Sequence, residues 1–329
     1  MPSLRRILSF AHRFPWLLPA ISFAAGWVGY LLVHRGESLA RGIALLALLG
    51  WAWLLIEPWV RQRLERRRNG VGNFVVNFIS QSLQQELLFF SLPFLIGATQ
   101  RDAGQLAFTG LVGVAALLST VDPVYERLIA TRAARRMSFH AFCSWIAALV
   151  VLPMVLSLPL EQSLPLSLFA VAVWLLVTLP MSLHSLLHVR TKIAWVVGMI
   201  AVPLLLWEFR AQVPAAGLAV VDARVTQTID GLTPGMRVRV VRRADLDQGV
   251  IAFAAIRAPA GLAQVVIFEW RHNGERERIE AAIQGGKADG FRTFSRKQIF
   301  PEDPVGLWTV DLLTPQEQLL ERLQFVVES

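Results

Sequence analysis

Long apolar runs separated by short polar segments make up the first two-thirds of the chain. A run of about 20 apolar residues is long enough to cross the hydrocarbon core of a bilayer as a helix. Seven runs reach roughly this length, at approximately residues 15–34, 40–60, 73–97, 104–122, 139–158, 165–186 and 193–210. The third run is the least uniform, because amides and a carboxylate interrupt it. The pattern predicts an all-α membrane bundle of about seven transmembrane helices over residues 1–214.

After Gly217 the apolar period changes from that of a helix to that of a strand. Short runs rich in β-branched and aromatic residues alternate with turn signals, and Asn273-Gly274 is a typical two-residue hairpin turn. The predicted strands are residues 220–228, 250–257, 264–271, 276–283, 291–297, 307–312 and 319–327. This spacing predicts an all-β, immunoglobulin-like sandwich over residues 218–329. Cys143 is the only cysteine in the chain, so the sandwich has no internal disulfide.

The formal charge of +8 raises the question of nucleic-acid binding. Up to Gly217 there are 18 Lys/Arg and 9 Asp/Glu, whereas from Leu218 onward there are 14 and 15. The positive excess therefore lies in short loops between the apolar runs. Because a nucleic-acid-binding face needs positive charge clustered on a folded domain, we predict no nucleic-acid partner.

The same loop charges predict the orientation of the bundle. With a cytoplasmic N-terminus, 14 Lys/Arg fall on the inner side of the membrane and 4 on the outer side. Cytoplasmic loops of membrane proteins carry such an excess. An odd number of spans then carries the C-terminal domain across the bilayer. We therefore expect a multi-pass protein of a bacterial inner membrane whose C-terminal domain is periplasmic.

Polar residues in the third predicted span form the first candidate site. At about 100° per residue, one side of this helix carries a stripe of hydroxyl and amide side chains. The stripe consists of Asn73, Asn77, Ser80, Gln84 and Ser91, flanked by Gln81 and Gln85. Glu86 lies on a different side of the helix. Amides and carboxylates in hydrocarbon need partners, so these residues predict either a structural network between helices or a ligand, ion or proton site.

A metal or haem site is a second candidate, at the cytoplasmic ends of the fifth and sixth spans. His140 and Cys143 begin one span, and His184 and His188 end the other, with each pair on one side of its helix. Imidazole and thiolate groups are ligands for soft metals. The alternative is that these histidines are ordinary interfacial residues. No other cofactor is predicted.

The C-terminal domain offers a candidate partner-binding surface at His272 and Arg292, which lie beside a predicted turn and on a predicted strand. Catalytic-triad spacing, a phosphate-binding loop, a dinucleotide-binding fingerprint and paired catalytic carboxylates are absent from the sequence. The sequence therefore favours a protein that is not an enzyme.

Two groups of residues carry a resemblance to a known family. The run from Asn77 to Phe94 resembles the signature of an uncharacterised proteobacterial family of multi-spanning membrane proteins. The runs 291–295, 306–310, 318–320 and 325–327 are similar to that family's C-terminal domain of unknown function. The resemblance implies the same architecture and no particular chemistry. It departs at Pro315-Gln316-Glu317, where such domains often have a glycine turn.

These observations lead to two functional hypotheses. The first is a non-enzymatic envelope anchor, sensor or assembly protein, whose periplasmic β domain binds a protein or other envelope partner through sheet edges and loops. The alternative is a transporter or ion-coupled protein that uses the polar third span around Glu86.

Overall fold

The N-terminal region is mainly helical. The computed structural model describes residues 20–21, 23–24, 27–28, 31, 49–50, 52–53, 56–64, 70–156, 162–185, 188–258 and 262–329. Its long helices are α1 (Gly70–Ala98), α2 (Ala103–Thr120), α3 (Ala133–Leu156), α4 (Ser163–Ser185) and α5 (Val189–Glu208). A short helix, Asp122–Tyr125, and a π-helical turn, Glu126–Ala130, connect α2 to α3.

Aromatic and aliphatic side chains hold these helices together. Helix α3 packs against both α4 and α1, and α1 packs against α2. Trp145 of α3 meets the ring of Phe108 edge-on and donates a 3.2 Å hydrogen bond to Ser167 of α4. Asp102 begins α2 as its N-cap, because its carboxylate accepts hydrogen bonds from the next free amides, those of Gly104 and Gln105.

Three of the described helices are long and apolar enough to cross a membrane, namely α2, Ser163–Pro180 of α4, and α5. Large apolar side chains are exposed along them, such as Phe169 at 67% and Leu204 at 65%. A continuous apolar surface of this kind marks contact with lipid or protein rather than water. Helices α1 to α5 occupy the positions of the third to seventh predicted spans. The first two predicted spans lie mostly outside the described residues, and a count of seven stays a prediction.

In the described part of the chain, ten strands follow the helices and form the β-domain (residues 218–329). They are β1 (Ala219–Thr226), β2 (Ile229–Asp230), β3 (Thr233–Pro234), β4 (Val240–Arg242), β5 (Val250–Arg257), β6 (Ala263–His272), β7 (Glu275–Gln284), β8 (Phe291–Lys297), β9 (Gly306–Leu313) and β10 (Leu319–Glu328). All seven predicted strands are confirmed. The short strands β2, β3 and β4 were not predicted, since two or three residues carry too little pattern.

The β-domain has a three-stranded sheet, β1-β5-β8, and a five-stranded sheet, β4-β10-β9-β6-β7. Strand β4 runs parallel to β10, and the other neighbours in these two sheets are antiparallel. A common core lies between the sheets and includes Trp270, Phe268 and Phe325. Trp270 of β6 donates a 3.0 Å hydrogen bond to Ser295 of β8, which ties the two sheets together across this core.

Two hairpins differ in how their turns are made. Asn273 and Gly274 both have positive φ, at 45° and 87°, as a two-residue type I′ turn requires. The predicted hairpin between β6 and β7 is therefore confirmed. The turn between β9 and β10 forms without glycine, because Glu317 itself takes a positive φ of 63°.

The β-domain rests on one end of the helices through this second turn. Gln318 donates a 3.0 Å hydrogen bond to the carbonyl of Val213, just after α5. In the opposite direction, Gln105 of α2 donates a 2.7 Å hydrogen bond to the carbonyl of Leu319. Both side chains are buried. The end of the domain that carries the β9–β10 turn therefore lies against the bundle.

Candidate functional sites in the bundle and on the β-domain

The polar stripe of α1 faces neighbouring helical segments. The Gln84 amide accepts a 2.7 Å hydrogen bond from the Tyr125 hydroxyl and lies 3.0 Å from Nδ1 of His140 on α3. The amide nitrogen is the donor in the second contact, so Nδ1 accepts and the imidazole proton lies on Nε2. The His140 ring also stacks on Trp174 of α4. One amide thus connects three segments of the helical region.

The same stripe reaches the segment before α1 through an ion pair. Arg61 forms a buried salt bridge with Glu57, one helical turn earlier, and donates a 2.7 Å hydrogen bond to Asn77. One turn further along α1, Ser80 accepts a 3.3 Å hydrogen bond from the indole of Trp53. A buried arginine is costly unless its donors are satisfied, and here a carboxylate and an amide share them.

The flanking amides have different surroundings. Gln81 donates hydrogen bonds to Asp122 and to the carbonyl of Ser119, at the end of α2. Gln85 is buried. Asn73 lies on α1, but its side chain is outside the described residues. The described amides Asn77, Gln81 and Gln84 therefore act as hydrogen-bonding partners between helical segments, as the structural hypothesis expects.

Glu86 lies apart from this network. It is exposed, whereas its neighbours Gln84, Gln85 and Leu87 are buried. Its separate position on the helix agrees with the helical-wheel prediction. Within the described residues it contributes nothing to the hydrogen-bonded stripe.

The predicted metal ligands are not brought together. His140 and Cys143 are buried inside the bundle, whereas His184 and His188 are exposed. In the described part of the chain, no three His, Cys, Asp or Glu side chains form a group that could hold a metal ion. The reason is that His140 turns toward Gln84 and Trp174, a rotation that helical spacing does not determine.

The two partner-binding candidates of the β-domain also lie apart. His272 is buried at the end of β6, where its ring stacks on Trp308 at 4.3 Å and its nitrogens lie 3.2 Å from the carbonyls of Leu307 and Asp303. Arg292 is exposed on β8, in the other sheet. His272 therefore holds the start of β9 in place through these contacts. Arg292 is the more solvent-exposed of the two candidates.

The outer face of the five-stranded sheet, which points away from the core, carries a group of charges that the sequence prediction missed. One row crosses four strands as Arg278, Glu269, Asp311 and Arg322, because these residues are direct cross-strand partners. Arg278 binds Glu269 at 2.6 Å, and Arg322 binds both oxygens of Asp311, at 2.7 and 3.0 Å. Each carboxylate is only 3% exposed. The adjacent like charges of Glu269 and Asp311 are tolerated because arginines flank them.

A third carboxylate connects this row to the bundle. Glu317, in the β9–β10 turn, accepts a 2.9 Å hydrogen bond from Arg278 and forms an ion pair with Arg210, which follows α5. The hydrogen bond from Arg278, supported by Arg210, lowers the pKa of the Glu317 carboxyl, although burial opposes the shift. Hydrogen bonding to Glu269 raises the pKa of Arg278. An ionic chain therefore runs from the end of α5 onto the sheet.

The signal for this face was present in the sequence but ambiguous. Glu269, Arg271, Arg276 and Arg278 alternate with apolar or inward-facing residues, as on any solvated strand. Nothing local shows that β6 lies between β7 and β9. The four charged residues form a row only because β7 pairs with β6, β6 with β9, and β9 with β10 in matching register.

Comparison with protein families divides the chain into two parts. A model described as a family of unknown function (DUF5924) matches residues 1–252, and a model described as a protein of unknown function (DUF2914) matches residues 263–327. No curated protein matches the sequence. The first match extends past the helices into β5, so the division between the two matches differs from the structural boundary near Gly217.

Proposed function

The chain belongs to the DUF5924 family, and on this basis we propose that it is a multi-spanning membrane protein whose bundle holds a partner-binding β-domain away from the bilayer. The membrane is a bacterial inner membrane, and the β-domain is periplasmic. The protein acts as an anchor, sensor or assembly factor rather than as an enzyme.

The observation that carries the proposal is the way in which the β-domain is attached. Gln105 and Gln318 each donate a hydrogen bond to a backbone carbonyl on the opposite side of the junction. Glu317 forms ion pairs with arginines on both sides of it. These contacts favour a fixed orientation over a flexible linker. Strand β9 runs from Gly306 toward the attached turn, so at about 3.3 Å per residue its start lies roughly 20 Å from the bundle. A domain held in this way presents one end to partners.

We assign seven spans to the bundle. Helices α1 to α5 coincide with five of the predicted spans, and the apolar exposure of α2, α4 and α5 is suited to lipid. The loop charges support a cytoplasmic N-terminus. With seven spans, the end of α5 and the β-domain that it carries lie on the periplasmic side.

We also assign the β-domain to the immunoglobulin-like sandwiches. The chain changes sheets between β5 and β6, between β7 and β8, and between β8 and β9. Trp270 is buried on β6, which follows β5 in the chain and belongs to the opposite sheet. Immunoglobulin-like sandwiches have a core tryptophan on the corresponding strand. Domains of this type commonly recognise partners through their loops and sheet edges.

A transport function centred on Glu86 has weaker support. The described amides of α1 already bind neighbouring segments, and Glu86 is outside their network. A transporter would use that carboxylate inside a water-accessible path.

Site-specific photocrosslinking in intact cells tests the partner-binding function. A photoreactive amino acid replaces Leu307, which is 55% exposed at the start of β9, far from the junction. We expect a discrete protein adduct at this position. The same substitution at Val221, on β1 of the other sheet, and at Leu204, on α5, provides matched controls. Adducts of equal yield at all three positions, or at none, would contradict the proposed function.

A further inference from the structure

The end of the β-domain farthest from the bundle, called here the distal end, carries a second row of side chains on the outer face of the five-stranded sheet. Arg276 of β7, Arg271 of β6, Thr309 of β9 and Gln324 of β10 are successive cross-strand partners. This row lies two residues beyond the row of Glu269 and Asp311 along each strand. It therefore shares their face of the sheet.

The second row places two arginines directly opposite each other. Like charges in that position destabilise a sheet unless other groups compensate them. Arg271 has such compensation on its inner side, because it pairs with Asp311 and lies 3.6 Å from Glu269. Arg276 is exposed, and the ion pairs of this face within the described residues involve Arg271, Arg278 and Arg322 but not Arg276. The pair thus has uncompensated positive charge on its outer side.

These arginines open onto a cleft with a volume of about 410 Å³. Its polar lining includes Arg271, Arg276, Arg322, Thr309, Gln324 and Glu275. Three guanidinium groups therefore share the cleft with one carboxylate. Arg322 and Arg271 each spend part of their guanidinium group on Asp311, whereas Arg276 forms no such pair in the described part of the chain, so it has the most donors left for a ligand.

An apolar margin borders the cleft on its distal side. Leu307, 55% exposed, is the cross-strand partner of Val326, 37% exposed, and Leu307 also lines the cleft. Guanidinium groups bind carboxylates and phosphates through paired hydrogen bonds. A ligand that fits both features has an oxyanion with an apolar group beside it.

We propose that this distal cleft binds an oxyanionic group, a carboxylate or a phosphate, with Arg276 as its principal contact and Arg271 and Gln324 beside it. This inference rests on the proposed function, since it names the chemistry by which the β-domain holds its partner. The buried carboxylates Glu269 and Asp311 hold Arg271 in place from the side of the first row. The negative charge of the ligand then compensates the positive charge of Arg276 on the open side of the cleft.

Calorimetric titration of the full-length protein in detergent micelles tests the proposal. The probes are inorganic pyrophosphate for phosphate groups and acetylated triglutamate for carboxylates. We expect binding of at least one probe, and Arg276→Gln weakens it by roughly tenfold or more, since a hydrogen bond to a charged group is lost. The probe that shows this loss identifies the source of the oxyanion.

Arg296→Gln is the matched control, because Arg296 is an exposed arginine on β8 of the other sheet. The control should bind the probe like the unmodified protein. Equal weakening by both substitutions would mean that general charge attraction explains the binding, and it would overturn the proposal. An absence of binding to either probe would also overturn it. Thermal unfolding of both variants checks that Arg276→Gln leaves the fold intact.

The titration is independent of the crosslinking experiment. If the purified protein binds neither probe while Leu307 still forms its adduct in cells, the cleft chemistry is wrong and the partner-binding function stands. If the probe binds but no adduct forms, the cleft stands and the function must be revised.

Discussion

Glu317 combines an unfavourable backbone conformation with two ion pairs. A non-glycine residue with positive φ is uncommon, and its conformational cost is of the order of 1 kcal/mol. The turn is closed by a 2.8 Å hydrogen bond from the Glu317 amide to the carbonyl of Thr314. A glycine would adopt the same conformation more easily but could not bind Arg210 and Arg278. The two ion pairs are what a carboxylate adds at this position of the turn.

The titration of Glu317 predicts an acid-sensitive domain. The pKa of Glu317 is lower in the folded protein than in the unfolded chain, so the ionised carboxylate contributes stability at pH values above the unfolded pKa. That contribution is lost as the pH falls through the lower, folded value. Glu317→Gln removes it, so the variant should have a lower midpoint of thermal unfolding at neutral pH. The difference from the unmodified protein should shrink on acidification.

Glu321, four residues later, provides a control of opposite sign. Burial raises the pKa of its carboxyl, so ionisation opposes folding. Its contribution is fully favourable below the unfolded value and is lost as the pH rises through the raised, folded value. Glu321→Gln should therefore maintain or raise the unfolding midpoint at neutral pH. If both variants respond to pH in the same direction, the assigned cause of the Glu317 shift is wrong.

Helix α1 shows how one element connects its neighbours. Its stripe places Asn77 against Arg61, Gln81 against Asp122 and Gln84 against Tyr125. In an apolar environment no water is available to form hydrogen bonds with an amide, so an amide without a protein partner is costly. Helix α1 therefore carries more amide side chains than α2 or α5, and it packs against both α2 and α3.

Replacing Gln84 tests the importance of this element. Gln84→Leu leaves Tyr125 and His140 without their amide partner, so we expect a loss of about 1–2 kcal/mol in unfolding free energy. The measurement is thermal or denaturant unfolding of the full-length protein in detergent. Glu86→Gln is the matched control, two residues away on the exposed side, and should change stability by less than about 0.5 kcal/mol. An equal loss in the control would indicate that Glu86 has a buried partner.

At the scale of the whole molecule, the bundle and the β-domain are joined by buried amides and an ionic chain. The junction lies at the start of α2 and the end of α5, on the side that the proposed topology places in the periplasm. Burying both amides makes separation of the two parts costly, because each would lose its hydrogen bond. The orientation of the distal cleft is therefore coupled to that of the bundle.

Reporter fusions test this arrangement. A reporter enzyme that is active only outside the cytoplasm should be active when fused after residue 215. The same reporter fused after residue 130, in the loop between α2 and α3 that carries Arg127 and Arg132, should be inactive. Activity at the second position and not at the first would reverse the topology and place the β-domain in the cytoplasm.

The sequence by itself determined those features that depend on local pattern. Apolar runs located α1 to α5, alternation located the seven main strands, and Asn273-Gly274 located a hairpin turn. Helical spacing also placed Gln84 and Glu86 on different sides of α1. These features follow from backbone period and turn chemistry, which neighbouring residues decide.

Only the tertiary structure decided which distant residues meet. The rotation of α3 directs His140 to Gln84 rather than toward His184, so the predicted metal ligands remain apart. The order β10-β9-β6-β7 aligns Arg271 with Thr309 and Gln324, although the sequence of β6 does not show that β9 is its second neighbour. Helix rotation and strand order are set by packing over the whole core. For that physical reason the sequence predicted the positions of the main described helices and strands, whereas it did not predict the charged outer face of the five-stranded sheet or its cleft.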